Sequence, residues 1–294
     1  MARVWTILRR AGVRFYDDQM TQHASAMTYY ALMSLFPAAL LALSLLGLLG
    51  EYPRTYDALI DYLQRVVPEP TLSTLDASLR GALRNKGTAA TALVVSVLLA
   101  LYGTTGVLES ARRALNVVFE VARGRKMLRR KAVDVLSTVL LMSLVLAALV
   151  LIFVGGAFAR DILGYLGLGD SGAEIWGTAR WPAAVLVAGT VFAWIYYKTP
   201  DVQHRSFKAI VPGAAIAVVV WIGLSLAFSE YISRFADVSA VYGAFAGVIV
   251  LLGWLWLTNC IVLFGAELNA EIERERELAE GVPFAETLAL PDKN

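Results

Sequence analysis

Two histidines and a single cysteine in 294 residues leave little material for metal or thiol chemistry. One cysteine, Cys260, excludes a disulfide framework within the chain. It sits inside an apolar run and reads as a small packing or lipid-facing side chain. His23 and His204 lie in separate segments, with no metal-ligand spacing around either. No phosphate-cradling loop is present: "GLLGEYP" and "LGLGDSG" lack the Lys-Ser/Thr that completes such a loop. No cofactor is therefore expected. No long Gly/Ser-rich or Pro-rich stretch separates domains, and no internal repeat stands out. Strands of alternating hydrophobicity are missing too, which argues against a barrel. The first apolar run ends "LLGEYP" without a small-x-small cleavage pattern, so it is expected to remain in the mature protein.

Charge is also scarce. Only 17% of the residues are charged and 58% are hydrophobic, against roughly 25% and 45–50% in ordinary soluble domains. The mean hydropathy is +0.61. The excess is gathered into six runs: Ala31–Gly50, Ala89–Leu108, Val135–Phe158, Trp181–Tyr197, Ala209–Phe228 and Tyr242–Ala266. At ~1.5 Å per helical residue, about 20 residues cross a hydrocarbon core of roughly 30 Å. Backbone groups in lipid must satisfy one another, so such runs are helices. The expected fold is an all-α integral membrane protein with six transmembrane helices, forming one domain over residues 1–275 with a tail at 276–294.

The cations orient it. With the N-terminus in the cytoplasm, eighteen of the 26 lysines and arginines fall on inside segments and eight outside. The short loop "RGRKMLRRK" at 123–131 weighs most, because positive residues stay inside. Both termini are thus expected in the cytoplasm. The same loop suits anionic lipid better than nucleic acid. Outside the runs, "RVWTILRRAGVRFYDD" mixes Trp5, Leu8 and Phe15 with four arginines, and reads as an interfacial helix over 2–18 lying apolar side down. The first outer loop, 51–87, carries two amphipathic stretches broken by Pro68 and Pro70, which predicts a helical hairpin, a lid or a passive cap. The charged stretch "AELNAEIERERELAEGVP" extends the last run as a helix. Glu271–Arg274 and Glu273–Arg276 pair along it, and Gly281 and Pro283 end it. Such a run reads as a solvated face.

Polar residues within or beside the runs are the candidate site, since lipid penalises them. "HASAMTYYALMSLFP" opens the first span with His23, Ser25, Thr28, Tyr29 and Tyr30. One reading is an aromatic belt at the interface. The other is a polar gate in which these side chains face Glu267 and Asn269, at the inner end of the sixth span. Glu109 follows the second span and either pairs locally with Arg112 and Arg113 or, with Asn116, points into the bundle. Asn259 is deeper and needs a hydrogen-bond partner; it serves packing or lines a pathway. Pro37 lies inside the first span and predicts a kink, whereas Pro212 falls in the first turn of the fifth, where proline is tolerated. Gly243 and Gly247, beside Tyr242, have the spacing that permits close helix contact, within one chain or in a homo-oligomer.

The chain resembles the YihY/BrkB family of bacterial inner-membrane proteins. The resemblance rests on "HASAMTYYALMSLFP", "LESARRALNVVFEV", "YYKTPD", "PGAAIAVVVWIGLSLAFSEYI" and "VYGAFAGVIVLLGWLWLTNCIVLFGAELNAE", and covers roughly residues 10–275. It implies a six-helix protein of the bacterial plasma membrane, from a family linked to export of envelope lipid or lipopolysaccharide and to serum resistance. It carries the family motif onto His23, Ser25, Tyr29, Tyr30, Pro37, Glu109, Asn116, Pro200, Tyr242, Gly243, Trp254, Glu267 and Asn269. Where relatives read "NRIWG", this chain reads "NVVFE" at 116–120. The family's old ribonuclease label finds no cluster of carboxylates or histidines here to hold catalytic metals. The expectation is a transporter or exporter of a lipidic or amphiphilic envelope component. A non-transporting scaffold for envelope assembly is the alternative, and an intramembrane enzyme the third reading.

Overall fold

A computed structural model describes residues 2–48, 86–121, 125–153, 169–234 and 244–281. Seven helices make up nearly all of them: α1 (Ala2–Asp17), α2 (Met20–Leu48), α3 (Lys86–Val118), α4 (Met127–Phe153), α5 (Gly169–Lys198), α6 (Phe207–Arg234) and α7 (Ala244–Ala279). No strand occurs among the described residues. Among those residues, three helical segments are long and apolar enough to cross a membrane: Glu174–Lys198, Phe207–Ile232 and Gly247–Ala279. They carry the fourth, fifth and most of the sixth expected spans. The described residues of the first three expected spans, as far as Leu48, Leu108 and Phe153, are helical in α2, α3 and α4. Most of the expected outer hairpin, Tyr242, Gly243 and the tail beyond Gly281 lie outside the described residues.

Local chemistry explains several helix boundaries. Between α1 and α2 the chain turns at Gln19, which adopts a left-handed φ of 54°. Ser206 caps α6: its carbonyl accepts from Ala209 N at 3.1 Å and its Oγ accepts from Lys208 N at 3.2 Å. Gly281 takes φ +71° just past α7, as a helix-stopping glycine should. On α5, Arg180 stacks 5.4 Å from the Trp181 ring, and Lys198 lies 5.2 Å from Tyr197 and 5.9 Å from Trp194. The sixteen residue steps from Trp181 to Tyr197 rise ~24 Å. A cation–aromatic pair at each end of such a length suits the two interfaces of a bilayer.

The chain divides into two compact units. The first comprises Met1–Thr21, Ala111–Ile222 and Ile261–Asn294; the second comprises Gln22–Ser110 and Gly223–Cys260. Helices α2, α3, α6 and α7 each contribute residues to both.

In the first unit, α4 and α5 pack along each other. Tyr196 is fully buried on α5 and donates its hydroxyl to Val262 O of α7 at 2.7 Å. A methyl placed on Gly265 would collide with that hydroxyl and stand 2.7 Å from Ala217 Cβ, so α5, α6 and α7 meet where only glycine fits. Pro212 lies six residues into α6, in its second turn, not in the first turn as expected; the helix begins at Phe207. Its missing N–H therefore falls where the helix ladder would use one.

In the second unit, α2 crosses α3 closely. An added Cβ on Gly103 would stand 2.9 Å from Ser34 Cβ, and one on Gly106 would stand 2.5 Å from the Tyr30 ring. The backbone of α2 is helical through Pro37, whose side chain lies outside the described residues.

Candidate functional site

A buried polar cluster belongs to the first unit and joins two stretches distant in sequence, 112–134 and 198–201. Asp201, in "YYKTPD" after α5, is fully buried. Its Oδ2 accepts from Asn116 Nδ2 at 3.0 Å, and its backbone N donates to Asn116 Oδ1 at 2.9 Å. Its Oδ1 lies 3.2 Å from Arg125 Nε, and its Oδ2 lies 3.9 Å from Arg112 Nη1. Arg112 also reaches Asp134 of α4 at 3.4 Å. Arg125 donates to the carbonyls of Lys198 and Pro200 at 2.8 and 2.9 Å. Two guanidinium groups and two carboxylates thus neutralise one another away from water. They fasten the ends of α3 and α5 to the start of α4. Buried charges cost heavily unless paired in this way.

A second cluster gathers at α1 and α7. Glu120 Oε1 lies 3.2 Å from Arg14 and 3.0 Å from Arg274, and Arg274 lies 3.2 Å from Glu271. Glu120 itself has φ 52°. Val121 N donates to Asn116 O at 2.9 Å across this residue, the closure of a helix that ends in a left-handed turn. Here a glutamate takes the strained conformation, and two arginines hold its carboxylate. Nearby, burial raises the Asp18 carboxyl above its ordinary value; Arg14 and Arg274 oppose this, while Glu120 and Asp17 add to it.

A third group surrounds the turn into α6. His204 Nε2 lies 2.9 Å from Tyr196 O, and its ring packs edge-on against Phe119 and stacks near Tyr197. Arg205 pairs with Glu280 at 2.6 Å and with Glu273 at 3.2 Å. The Arg205 hydrogen bond holds the Glu280 carboxyl below its ordinary value. A cleft of ≈ 10 Å³ opens between Phe119, His204, Asn269 and Glu273, room for about one water.

The expected gate residues are distributed over both units. Asn116 joins the Asp201 cluster. Asn269 grips α6: its Oδ1 accepts from Gly213 N at 2.8 Å and its Nδ2 donates to Ile210 O at 3.0 Å. Glu267 is 1% exposed, and its Oε1 takes no hydrogen bond among the described residues; Asp18, Glu271, Arg14 and Arg274 are the charges around it. In the second unit, buried Asn259 donates to Thr28 Oγ1 at 3.0 Å, and Thr28 donates to Ala24 O at 2.8 Å. Tyr29 and Tyr30 meet edge-on at 5.4 Å. His23 and Glu109 are half-buried, and Ser25 is exposed. Gly247 is exposed, with open space where a Cβ would stand.

A further reading changes. The charged stretch of α7 is not a solvated face: Glu271, Glu273, Arg274 and Glu277 are all buried. It reads as solvated only if the partners that cover it are invisible, and they come from α1, the end of α3 and the turn before α6. Sequence reasoning also missed Asp201, Arg125 and Asp134. The one local signal was an aspartate directly after a span, in "YYKTPD".

Residues 11–287 match the family described as Virulence factor BrkB. The putative ribonuclease-like protein YfkH of Bacillus subtilis is 27% identical over 279 residues, covering 95% of this chain and 99% of that one. A UPF0761 membrane protein of Chromohalobacter salexigens is 28% identical over 292 residues, covering 96% and 67%. One from Xanthomonas campestris is 24% identical over 273 residues, covering 92% and 61%. The chain thus spans about two thirds of the length of these membrane-protein relatives. No solved structure matches it. With apolar helices of membrane-crossing length and a match over nearly its whole length, the chain belongs to the virulence factor BrkB family of membrane proteins.

Proposed function

We propose that the protein is a transporter or exporter of a lipidic or amphiphilic envelope component in the bacterial plasma membrane. In this reading it has six spans with both termini in the cytoplasm, and it works by opening of helices without covalent chemistry. The observation that carries the reading is a polar stripe on α2. Gln22, Ser25 and Tyr29 recur at one-turn spacing and are all exposed, Tyr29 by 59%, while the opposite face buries Ala24, Met27 and Thr28. On a helix that enters lipid, an exposed face is ordinarily apolar. A ladder of amide and hydroxyl groups offers a headgroup successive hydrogen-bond partners while its acyl chains stay in lipid. The tight ionic clusters of the first unit favour a second reading, a rigid scaffold for envelope assembly.

Reconstitution separates the two. Liposomes containing the purified protein are loaded with a fluorescent phosphatidylglycerol analogue, and its transfer between leaflets is followed. Transport predicts protein-dependent transfer that falls in Ser25→Leu and Tyr29→Leu variants while folding is retained. Transfer no faster than in protein-free liposomes, for the wild type as for the variants, sinks the transport reading and leaves the scaffold.

A further inference from the structure

Helix α1 divides its arginines between two tasks. Arg10 Nη1 pairs with Glu275 at 2.6 Å and Arg14 Nη1 with Glu120 at 3.2 Å. The same side of the helix buries Ala11 completely and sets Phe15 edge-on to Phe264 of α7 at 6.0 Å. That side belongs to the protein. The other side carries Trp5, Arg9, Gly12 and Tyr16, at offsets of four, three and four residues, which keeps them on one stripe. All are exposed, Trp5 by 70% and Tyr16 by 80%, with Val13 beside them at 52%. Two aromatic rings flanking a guanidinium, with a valine alongside, is the composition of a surface that lies at a lipid–water boundary. Phe15 rests on α7, a helix of membrane-crossing length, so α1 stands beside the lipid it would contact. Within the same unit, the start of α4 presents Leu128, 88% exposed, with exposed Lys126 and Lys131.

We propose that the Trp5–Arg9–Gly12–Tyr16 face of α1 is a binding surface for anionic phospholipid, with Arg9 on the headgroup phosphate and Trp5 and Tyr16 at the headgroup–acyl boundary. The aromatic rings seat on any bilayer, and the charge of Arg9 makes the contact selective for anionic lipid. Arg10 and Arg14 take no part, because carboxylates of the protein hold them.

Gly12 gives the probe site, since nothing lies within 4 Å of an added Cβ there. The full-length Gly12→Cys variant, in a Cys260→Ala background, is labelled with an environment-sensitive fluorophore. It is reconstituted in phosphatidylcholine vesicles with and without phosphatidylglycerol, and aqueous iodide is used as quencher. The expected result is protection from iodide that is stronger with phosphatidylglycerol. Adding Arg9→Gln should reduce the preference for the anionic vesicles roughly fivefold, the effect of losing one cation near a charged surface. Arg9→Lys should retain it. Equal protection in both vesicles, equal exposure in both, or protection that appears only as protein density rises would overturn the proposal; the last outcome would assign the face to a second copy of the chain. Circular dichroism and a monodisperse elution profile establish that each variant is folded.

Discussion

Asn269 of α7 holds Gly213 of α6 by its backbone, accepting its N–H at 2.8 Å while donating to Ile210 O three residues earlier at 3.0 Å. Pro212 lies between those two backbone groups. The amide thus stands beside the proline, where the helix ladder is weakened, and adds two bonds from α7 to the backbone on either side of it.

Gly213→Ala should be the more damaging change at this contact. The new Cβ would stand 2.5 Å from Asn269 Cγ and Oδ1, and closer still to Gly265 O, a backbone atom that cannot turn aside. Asn269→Ala should cost about 1–3 kcal/mol by removing two hydrogen bonds to buried backbone. Thermal unfolding in detergent, read by size-exclusion chromatography after heating, should rank wild type above Asn269→Ala and that above Gly213→Ala. The reverse order for the two variants would mean the crossing is looser than described.

Asp201→Ala leaves the guanidinium groups of Arg112 and Arg125 facing each other across a buried space. The expected loss is about 3–5 kcal/mol, the usual effect of removing one partner of a buried ion pair. Asn116→Ala shares the same contacts, so the double variant should lose less than the sum of the two. Additive losses in melting experiments would show that Asn116 and Asp201 act separately.

Thr28→Val removes the acceptor for Asn259 in the second unit while nearly preserving shape. A helix–helix hydrogen bond within a membrane protein is worth about 0.6–1.7 kcal/mol. Thr28→Val should therefore destabilise measurably, and far less than Asp201→Ala. A loss comparable to that of Asp201→Ala would mean that Thr28 supports more than this one bond.

Glu120 combines strain with attraction, and two substitutions separate them. Glu120→Ala keeps the left-handed backbone unfavourable and loses the contacts to Arg14 and Arg274. Glu120→Gly loses the same contacts but removes the strain, which is roughly 1–2 kcal/mol for a residue bearing a Cβ. The glycine variant should melt above the alanine variant. Equal melting temperatures would show that position 120 does not hold a left-handed turn.

Asp18 predicts a dependence on pH. Its carboxyl is raised above the ordinary value of 3.8, chiefly by burial. The folded protein therefore binds this proton more tightly than the unfolded chain, so the group opposes folding once pH climbs through the raised value and does so fully above it. Asp18→Asn should raise the melting temperature at neutral pH, and the advantage should shrink as pH falls toward the ordinary aspartate range. An advantage that is constant across that range would rule out the titration of Asp18 as its source.

The hydrophobic runs were legible because lipid imposes one requirement, length in apolar residues, and α5, α6 and α7 meet it. Gly281 after α7 was legible because a helix-stopping glycine is a local matter. Glu271–Arg274 was legible for the same reason, being one helical turn apart. The meaning of the charges at 267–280 was not. A helix with many carboxylates looks solvated until Arg10, Arg205 and the Glu120 turn are brought against it, and those partners lie 75 to 265 residues away in the hydrogen bonds that join them.

The sequence by itself determined that lipid is the solvent for these helices and where several of them start and stop, because hydropathy and capping act over one turn or one run. Tertiary structure decided which charge meets which: Asp201 with Arg125 and Asn116, Glu120 with Arg14 and Arg274, Asn269 with the backbone beside Pro212. It also decided which of α1's arginines are held by the protein and which stands on its open face. A charge acts through space over a few ångströms, and distance along the chain carries no record of that.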